Sequence, residues 1–361
     1  MARHASASPT VRPKLPMPID SNEVELQAAE GRTRIETERV EACPLCRSTA
    51  TKTWRVDCRD WQQPQFAGRF EYKRCTRCGA CFLTVRPLQS ELGKVYFEGY
   101  GPYQATPASI APLSGAHSVA PTAAPRLRVV GATIRVLQRR LSRLLDRVYT
   151  PETEGETLLD YGCGTPTFLD LARERGFATV GVDFGEGVVR AVRASGHQGF
   201  LVGKEFARNV PNASLGCVRM NHVIEHLYDP HEALSAIHTK MRPGGRIHIS
   251  TPNPASVGSR LFRRRWHALD CPRHVVLYQP GVLRELLQGL GFGDISVVQE
   301  VGAKDLTRSW GIVLYDRGRI PHERIATMAT DHVRLGLLLP LASVGALVSA
   351  ADRYHLLARR G

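Results

Sequence analysis

Short apolar runs alternate with segments of helical period from Thr157 onward. The first two runs predict strands that end at Tyr161 and Asp183, each followed by a helix, and a third strand is expected near 200–202. Four later strands are expected, one ending near Asn221 and three over residues 246–250, 295–299 and 354–358. Helices are predicted to begin at Asp229-Pro230 and Gln279-Pro280, and residues 300–333 show no clear period. The pattern therefore predicts an α/β protein with a Rossmann-like, doubly wound sheet of seven strands.

The first 150 residues have a different organisation. Residues 1–40 show no sustained period and are predicted to be a disordered tail, whereas 41–103 form a small cysteine module. Residues 104–125 are rich in Ala, Pro, Ser and Thr, as linkers are. Apolar positions then recur every three or four residues among arginines, which predicts a basic amphipathic helix that leads into the 126–361 domain. We interpret it as an outer helix packed on the domain, with a membrane-surface or RNA-binding helix as the alternative.

A second apolar segment, residues 335–351, holds seventeen uncharged residues but contains Pro340 and Gly345. Its length is at the lower limit for crossing a bilayer. We expect a helix that lies in the core, in a homodimer interface or in a lipid pocket. Peripheral membrane contact and a transmembrane span are the alternatives, although a span would separate the last strand from its sheet.

Charge and cysteine content indicate which partners and which cellular compartment suit the chain. The chain of 361 residues has a formal charge of +14, which favours anionic partners such as nucleic acid, phosphorylated sugars or a membrane surface. Only seven of the 48 basic residues are lysine, and coding bias alone can produce such a skew. Four of the nine cysteines occur in two Cys-x-x-Cys pairs, and the N-terminus shows no apolar signal region, so we expect a reducing cytoplasm.

The two cysteine pairs predict a zinc site. Cys43 and Cys46 form the first pair and Cys75 and Cys78 the second, so four thiolates can close a tetrahedral shell around Zn²⁺. A closed shell leaves no position for a substrate, so such a zinc is structural. Cys58 and Cys81 are further candidates for ligands, and the alternative is a set of ordinary buried thiols.

A glycine turn after the first strand predicts a nucleoside-cofactor site. Gly162 and Gly164 allow a sharp turn and a close approach to a ligand, and Asp183, nineteen residues past Gly164, is placed to accept hydrogen bonds from ribose hydroxyls. Asp160, at the end of the strand, suits a positively charged ligand better than a pyrophosphate. We add the neighbouring Cys163 and Phe184 to the candidate cofactor-binding residues.

The glycine turn resembles the first motif of the class I S-adenosylmethionine-dependent methyltransferases, Leu-Asp-x-Gly-Cys-Gly-x-Gly. The chain departs from that motif at Pro166, which stands in place of the third glycine. The resemblance implies the class I fold with S-adenosyl-L-methionine as cofactor. The aromatic stretch 95–100, after the cysteine module, is similar to the link in zinc-ribbon methyltransferases of bacterial glycan and natural-product pathways.

Residues 220–226 and Asp229 resemble the motif after the fourth strand in the ubiquinone-biosynthesis O-methyltransferases, where Asn221 would lie against the methionine part of the cofactor. If this turn is helical, His222, Glu225 and His226 share one face. Some of those enzymes present a Glu, a Glu and a His at these three places to a divalent metal, and this chain has His222 in place of the first Glu. The alternative is that Glu225 and His226 shape the cleft through hydrogen bonds alone.

The loop 265–274 resembles the acceptor-pocket loop of the same enzymes, often written Trp-x-x-Leu-Asp-x-Pro-Arg-His. A base assists methyl transfer when the acceptor is a hydroxyl. His274 is the first candidate, with Asp270 orienting it and His226 nearby in the same cleft. The alternative is that His274 only anchors the loop.

The sequence thus predicts methyl transfer to a small-molecule, sugar or lipid-linked acceptor, through a hydroxyl. An RNA methyltransferase that grips phosphates with the zinc module and Arg263–Arg265 is one alternative. A non-catalytic binding protein is another, suggested by Pro166 and by Gly216, where many relatives have Asp. A dinucleotide dehydrogenase would require the missing third glycine.

Overall fold

The computed structural model describes residues 23–28, 31–63, 68–96, 139, 141–328 and 332–361. The linker 104–125 and most of the predicted basic helix lie outside these residues. Residues 141–148, the end of that helix, are helical (α2), and Val148 packs in the core, as the outer-helix interpretation expects.

A seven-stranded sheet forms the centre of the domain, in the order β13-β14-β11-β10-β7-β8-β9. All neighbouring pairs are parallel except those of β14, which runs antiparallel between β11 and β13. The predicted fold class is therefore confirmed. The strands are β7 Thr157–Tyr161, β8 Ala178–Asp183, β9 Gln198–Leu201, β10 Leu215–Asn221, β11 Met241–Pro252, β13 Phe292–Gln299 and β14 Arg353–Arg360.

Helices connect the strands and cover the sheet. As predicted, Asp229 caps the helix that starts at Pro230, where its carboxylate accepts from the Glu232 amide at 3.0 Å. The helices of this part are α3 Thr167–Glu174, α4 Glu186–Ala194, α5 Lys204–Asn209, α6 Pro230–Lys240, α7 Val257–Phe262, α8 Pro280–Gly289, α9 Lys304–Asp316, α10 Glu323–Met328 and α11 His332–Leu347.

The expectation of irregular structure over 300–333 is wrong, because α9 and α10 lie there. The apolar period of α9 is hidden in the sequence, since its buried side includes Asp305, Thr307 and Ser309 beside Leu306 and Ile312. Asp305 is buried because it pairs with the Arg353 guanidinium, at 2.6 and 2.9 Å.

Two small sheets make up the N-terminal part. One contains β1 Glu23–Ala28, β2 Gly31–Arg39 and β6 Val85–Pro87, so the disordered-tail expectation is wrong for the residues of β1 and β2. Those residues pair through backbone hydrogen bonds, which need no apolar period. The other sheet orders β12-β5-β4-β3 and comprises β3 Thr51–Cys58, β4 Phe70–Cys75, β5 Cys81–Leu83 and β12 Val276–Leu277. A short helix, α1 Leu92–Val95, follows β6.

The second small sheet joins the cysteine module to the domain. Strand β12 follows the predicted acceptor loop, and it pairs with β5 of the module. A single apolar core includes residues from both parts, such as Phe82 of the module and Trp266 of the loop. The loop is therefore held from two sides, by the domain that precedes it and by the module.

The apolar segment near the C-terminus forms α11, with Pro340 inside the helix. Among the helices of the described residues, none combines the length and apolar character needed to cross a bilayer. The last predicted strand is confirmed as β14, which lies within the sheet.

Candidate active site and cysteine cluster

The glycine turn after β7 adopts the backbone geometry that its glycines permit. Gly162 and Gly164 have φ values of +74° and +62°, in the left-handed region. A Cβ on Gly162 would lie 2.5 Å from a methyl carbon of Val223, so the turn also packs too closely for a side chain. Pro166 has φ −71° and stands at the N-cap of α3, where a missing backbone donor removes no helical hydrogen bond. Proline at this position is therefore compatible with the turn.

Asp183 connects the glycine turn to the loop after β8. One carboxylate oxygen accepts from the Gly164 amide at 3.0 Å and the other from the Gly185 amide at 2.9 Å. Only 4% of the residue is exposed, so its first role in this structure is to hold the two loops together. The adjacent Phe184 is 43% exposed.

Asp160 does not present a free negative charge. The residue is fully buried, and both of its carboxylate oxygens lie 2.9 Å from Nη1 of Arg219. The guanidinium of Arg219 also covers the ring of Phe168 at 3.9 Å. The interpretation of Asp160 as a charge match for a cationic ligand is therefore wrong, because an arginine 59 residues away already balances it.

The other predicted cofactor residues surround the same turn. Cys163 lies within the turn, and burial raises the pKa of its thiol, so it is a neutral packing group. Asn221 ends β10 opposite Ser250 of β11, at the carboxyl edge of the sheet. Both positions agree with a ligand that binds across this edge.

The turn after β10 does not form the α-helix on which the grouping of His222, Glu225 and His226 depended. His222 has a left-handed φ of +56°, and Ile224–His226 form a 3-10 turn. Nε2 of His222 accepts from Arg353 at 2.8 Å, and Nδ1 donates to Glu225 at 3.2 Å. Since both ring nitrogens are engaged, His222 is not placed to bind a metal together with Glu225 and His226.

His274 takes the place that the sequence gave to His222. The side chains of Glu225, His226 and His274 bring one ligand atom each to within 4.8 Å of one another. The two imidazole rings meet edge to face, with centroids 4.7 Å apart. Oε2 of Glu225 also accepts from the Thr251 hydroxyl at 2.9 Å, so the buried carboxylate is fixed in place.

Hydrogen bonds define the tautomers of both histidines. Nδ1 of His274 donates to the carbonyl oxygen of Ala268 at 2.9 Å, which leaves Nε2 as the basic nitrogen. That nitrogen lies 3.8 Å from an oxygen of Glu225 and 3.8 Å from an oxygen of Asp270. Nδ1 of His226 lies 3.0 Å from the carbonyl oxygen of Arg273, so its Nε2 is unprotonated as well.

Burial and neighbouring charges set the protonation states in this cluster. Burial lowers the pKa of His274, although Asp270 and Glu225 oppose the shift. Burial and the neighbouring His274 lower the pKa of His226 to about 4. Burial would raise the pKa of Glu225, but the hydrogen bond from His222 and the nearby imidazoles lower it to about 2. At neutral pH the cluster therefore contains neutral imidazoles beside a carboxylate.

A buried ion cluster fixes the acceptor loop to the cysteine module. The Arg273 guanidinium donates to both oxygens of Asp60 at 2.7 Å and to Asp270 at 2.7 Å. Gln62 of the module donates to the same Asp270 oxygen at 2.6 Å. The hydroxyl of Tyr72 donates to the carbonyl oxygen of His274 at 2.7 Å. Residues of the module therefore support both candidate catalytic residues of the loop.

Tyr96 is a site residue whose role the sequence did not identify. It follows α1, and its hydroxyl lies 2.9 Å from Nδ1 of His226, while its ring lies 5.3 Å from that of Phe184. Tyr96 thus spans the space between the candidate cofactor residue and the candidate catalytic cluster. The aromatic stretch 95–100 was the available signal, but an aromatic cluster alone does not specify which residue enters a cleft.

The four predicted zinc ligands lie together in the module. Sγ atoms of Cys43 and Cys78 are 3.6 Å apart, and those of Cys46 and Cys75 are 3.5 Å apart. A tetrahedron with Zn–S bonds of about 2.3 Å has edges of about 3.8 Å, so the four sulfur atoms fit zinc. Cys58 and Cys81, the two further candidates, are not part of this cluster.

Comparison with known proteins agrees with this architecture. Residues 134–297 match a protein family described as a methyltransferase domain. The matched segment contains the glycine turn, the turn after β10 and the acceptor loop. The seven-stranded sheet with one antiparallel strand extends beyond the segment to β14.

Curated relatives cover part of the chain. It is 33% identical over 129 residues to a malonyl-[acyl-carrier protein] O-methyltransferase of Serratia marcescens, which is 35% of this chain and 49% of that protein. It is 31% identical over 108 residues to a ubiquinone biosynthesis O-methyltransferase of Pseudomonas paraeruginosa, which is 27% of this chain and 45% of that protein. The chain thus spans less than half the length of these relatives.

Two solved structures align with most of the methyltransferase-like part of this chain, each with a TM-score below 0.5. A SAM-dependent methyltransferase from Archaeoglobus fulgidus is 25% identical with a TM-score of 0.41, and the match covers 63% of this chain and 94% of that one. A geranyl diphosphate methyltransferase in complex with SAM is 15% identical with a TM-score of 0.41, over 67% and 93% of the two chains.

Proposed function

We propose that this chain, which carries a class I methyltransferase domain, transfers a methyl group from S-adenosylmethionine to a hydroxyl of a small-molecule or lipid-linked acceptor. The observation that carries the proposal is the pair of neutral histidines beside a buried carboxylate at the carboxyl edge of the sheet, next to the glycine turn. The names of the O-methyltransferase relatives support an oxygen acceptor.

The residues at the glycine turn fit the cofactor. Gly162 and Gly164 would let its methionine part approach the backbone closely, and the exposed ring of Phe184 would stack on its adenine. Asp183 has one carboxylate oxygen on each of two loop amides, and each oxygen retains a second lone pair for a ribose hydroxyl. When bound, S-adenosylmethionine supplies an electrophilic methyl group.

His274 is the proposed general base. Its Nδ1 is held by the carbonyl oxygen of Ala268, so its Nε2 can take the proton of an acceptor hydroxyl. The resulting imidazolium would be stabilised by Glu225 and Asp270, each 3.8 Å from that nitrogen. The remaining task of the site is to align the acceptor and exclude water, which the buried loop and Tyr96 serve.

A divalent metal held by Glu225, His226 and His274 is the competing arrangement, and a chelator distinguishes the two. We expect dialysis against EDTA to leave activity unchanged while zinc, measured by mass spectrometry, stays bound. Loss of activity that Mg²⁺ or Mn²⁺ restores would mean that His274 is a metal ligand rather than the base.

We also propose that Cys43, Cys46, Cys75 and Cys78 hold a structural zinc ion. The close sulfur atoms support this, since a short module gains order from such a bond. We expect one zinc per chain, lost in Cys75→Ser and retained in Cys58→Ser, because Cys58 lies outside the cluster. Equal zinc content in the two variants would contradict the assignment.

The test of the main proposal separates cofactor binding from transfer. Calorimetry should detect S-adenosylmethionine binding, and Asp183→Ala should weaken it at least tenfold. Tritium from the labelled methyl group should enter small hydroxyl compounds or a lipid extract and not RNA. If S-adenosylmethionine did not bind, the proposal of an enzyme would fail. If the label entered RNA, the acceptor would be RNA rather than a small molecule or a lipid.

His274→Ala should lower turnover at least a hundredfold while the Kd for S-adenosylmethionine changes less than threefold. The matched control is His238→Gln, since His238 lies near the end of α6, at the opposite edge of the sheet. Parallel losses of turnover and cofactor affinity in His274→Ala would indicate a structural role.

A further inference from the structure

An exposed apolar surface lies on three helices near the C-terminus. It consists of side chains of α7, α9, α11 and the turn that follows α11, and the three helices pack against one another. We call it the helical patch: Leu261, Trp310, Val344, Leu347 and Val348, with exposed fractions of 59%, 46%, 53%, 61% and 64%. Five of the seven large apolar side chains that are exposed among the described residues belong to it. Such clustering is typical of an interaction surface.

The two sides of α11 show that this exposure is not incidental. On the inner side Ala342 and Ala346 are buried, and Gly345 packs close to Val257 of α7 and the backbone of Ala350. On the outer side valine and leucine occupy positions where a surface helix usually has polar residues. No described residue covers them, so the outer side of α11 has the composition of a buried face.

Arginines border the patch. Arg260 and Arg263 flank Leu261 in the chain, and Arg317 and Arg319 follow α9. All four are exposed, and within the described part of the chain none has a carboxylate partner. Their charge adds to the +14 of the whole chain.

We propose that the helical patch docks onto an anionic lipid surface. Leucine, valine and tryptophan side chains would enter the boundary between headgroups and acyl chains, and the bordering arginines would contact lipid phosphates. Tryptophan favours this boundary because its ring is apolar and its N–H is polar. The docking is peripheral and needs no spanning helix.

Charge argues against a second copy of the chain as the occupant. A two-fold interface places the same patch on both sides, so the arginine border of one copy would lie near that of the other. Among the described residues, the five patch side chains include no carboxylate, and only Glu323 at the start of α10 follows Arg319 closely, so four arginines face at most one nearby exposed carboxylate. An anionic surface supplies that balance.

The patch is adjacent to the acceptor loop. The Asp352 carboxylate accepts from Ser256, which caps α7, and from the indole of Trp266 in the loop, at 2.7 and 2.8 Å. A docked molecule would therefore hold its candidate active site close to the lipid surface. This consequence rests on the proposed function and implies an acceptor carried by a lipid, whereas the docking itself does not depend on activity.

Co-sedimentation of the full chain with vesicles tests the docking. We expect binding to phosphatidylcholine vesicles that contain 30% phosphatidylglycerol, weakening as salt rises, and little binding to pure phosphatidylcholine. Arg260→Gln with Arg263→Gln should weaken binding about 30-fold, at about 1 kcal/mol for each arginine. The matched control is Arg190→Gln, which removes an exposed arginine on α4, packed on β8 and β9 at the far edge of the sheet.

Leu261→Asp with Val348→Asp should abolish binding while circular dichroism and S-adenosylmethionine binding stay unchanged, since both side chains are exposed. Absence of binding to anionic vesicles would overturn the docking, as would equal loss in the Arg190 control. A dimer in ultracentrifugation that the same double aspartate variant dissociates would assign the patch to a second copy instead. If the chain binds anionic vesicles but transfers no methyl group, the proposed function fails and the docking stands.

Discussion

Replacing Asp60 by asparagine should loosen the acceptor loop without unfolding the domain. Asp60 and Arg273 both have fully buried side chains, and two hydrogen bonds of 2.7 Å join them. Asparagine has almost the same shape as aspartate. The change therefore removes one charge from a buried cluster while it preserves packing.

The structure sets the size of the effect. Breaking a buried ion pair by removing one partner costs about 3–5 kcal/mol. In Asp60→Asn the amide oxygen can still accept from the backbone of Gln62 and Gln63, which Oδ1 of Asp60 does at 2.8 and 2.9 Å. The new amide nitrogen, however, faces Nη1 of Arg273, so two donors oppose each other. Because the two backbone hydrogen bonds are kept, we expect a loss at the lower end of this range, about 3 kcal/mol, in spite of the opposed donors.

Hydrogen exchange measures this loss where it occurs. Local opening of the segment 268–278 controls its amide exchange, so 3 kcal/mol corresponds to exchange about 100-fold faster. Amides of β10 and β11, in the centre of the main sheet, should keep their rates. Turnover should fall as well, because Arg273 holds Asp270 beside His274.

Asp57→Asn is the control. Asp57 lies in the same module, but a third of its side chain is exposed and its arginine partners are at the surface, so its pairs are worth about 1 kcal/mol or less. Asparagine also tolerates its left-handed φ of +55°. The reasoning would be refuted if Asp60→Asn changed the exchange of 268–278 less than threefold, or no more than Asp57→Asn does. The ion pair between Asp60 and Arg273 would then not hold the loop in place.

Gly162→Ala should abolish S-adenosylmethionine binding in calorimetry, whereas Gly155→Ala should not, since its φ is also positive (+68°) but no atom lies near its Cβ position; equal effects would refute the packing argument. Tyr96→Phe should lower turnover severalfold and leave the Kd for S-adenosylmethionine unchanged. Phe184→Leu should instead raise that Kd and leave turnover at saturating cofactor unchanged. A raised Kd in both variants would place Tyr96 in the cofactor site. The folded pKa of His226, about 4, is below its ordinary 6.5, so the unfolded chain binds more protons and stability falls as pH falls through that window. Between pH 6.5 and 5 the loss should be about 2 kcal/mol in urea unfolding, and a His226→Asn variant with an equal slope would contradict it.

Local patterns in the sequence predicted the main sheet and the glycine turn. The order of strands and helices, the Asp229 cap and the positive φ of Gly162 and Gly164 all depend on neighbours within a few residues. Such neighbours are visible in a single chain. The cysteine cluster was predictable for the same reason, since the spacing within each pair defines half of the site.

Features that depend on distant partners could not be predicted. Arg219 neutralises Asp160 only because β7 and β10 are adjacent in the sheet. The grouping of His222 with Glu225 assumed a helix, but the left-handed backbone at His222 turns it toward Arg353, and His274 joins the cluster from another loop.

The pairing of β5 with β12 determines how the chain can be divided. A fragment that starts at residue 141 would leave β12 with an open backbone edge and Arg273 without Asp60, in an apolar core that has lost the buried side chains of the module. We therefore expect the domain to lose stability when the module is removed. A graft of the loop 265–274 alone would therefore leave behind the contacts that Asp60, Gln62 and Tyr72 of the module make with it.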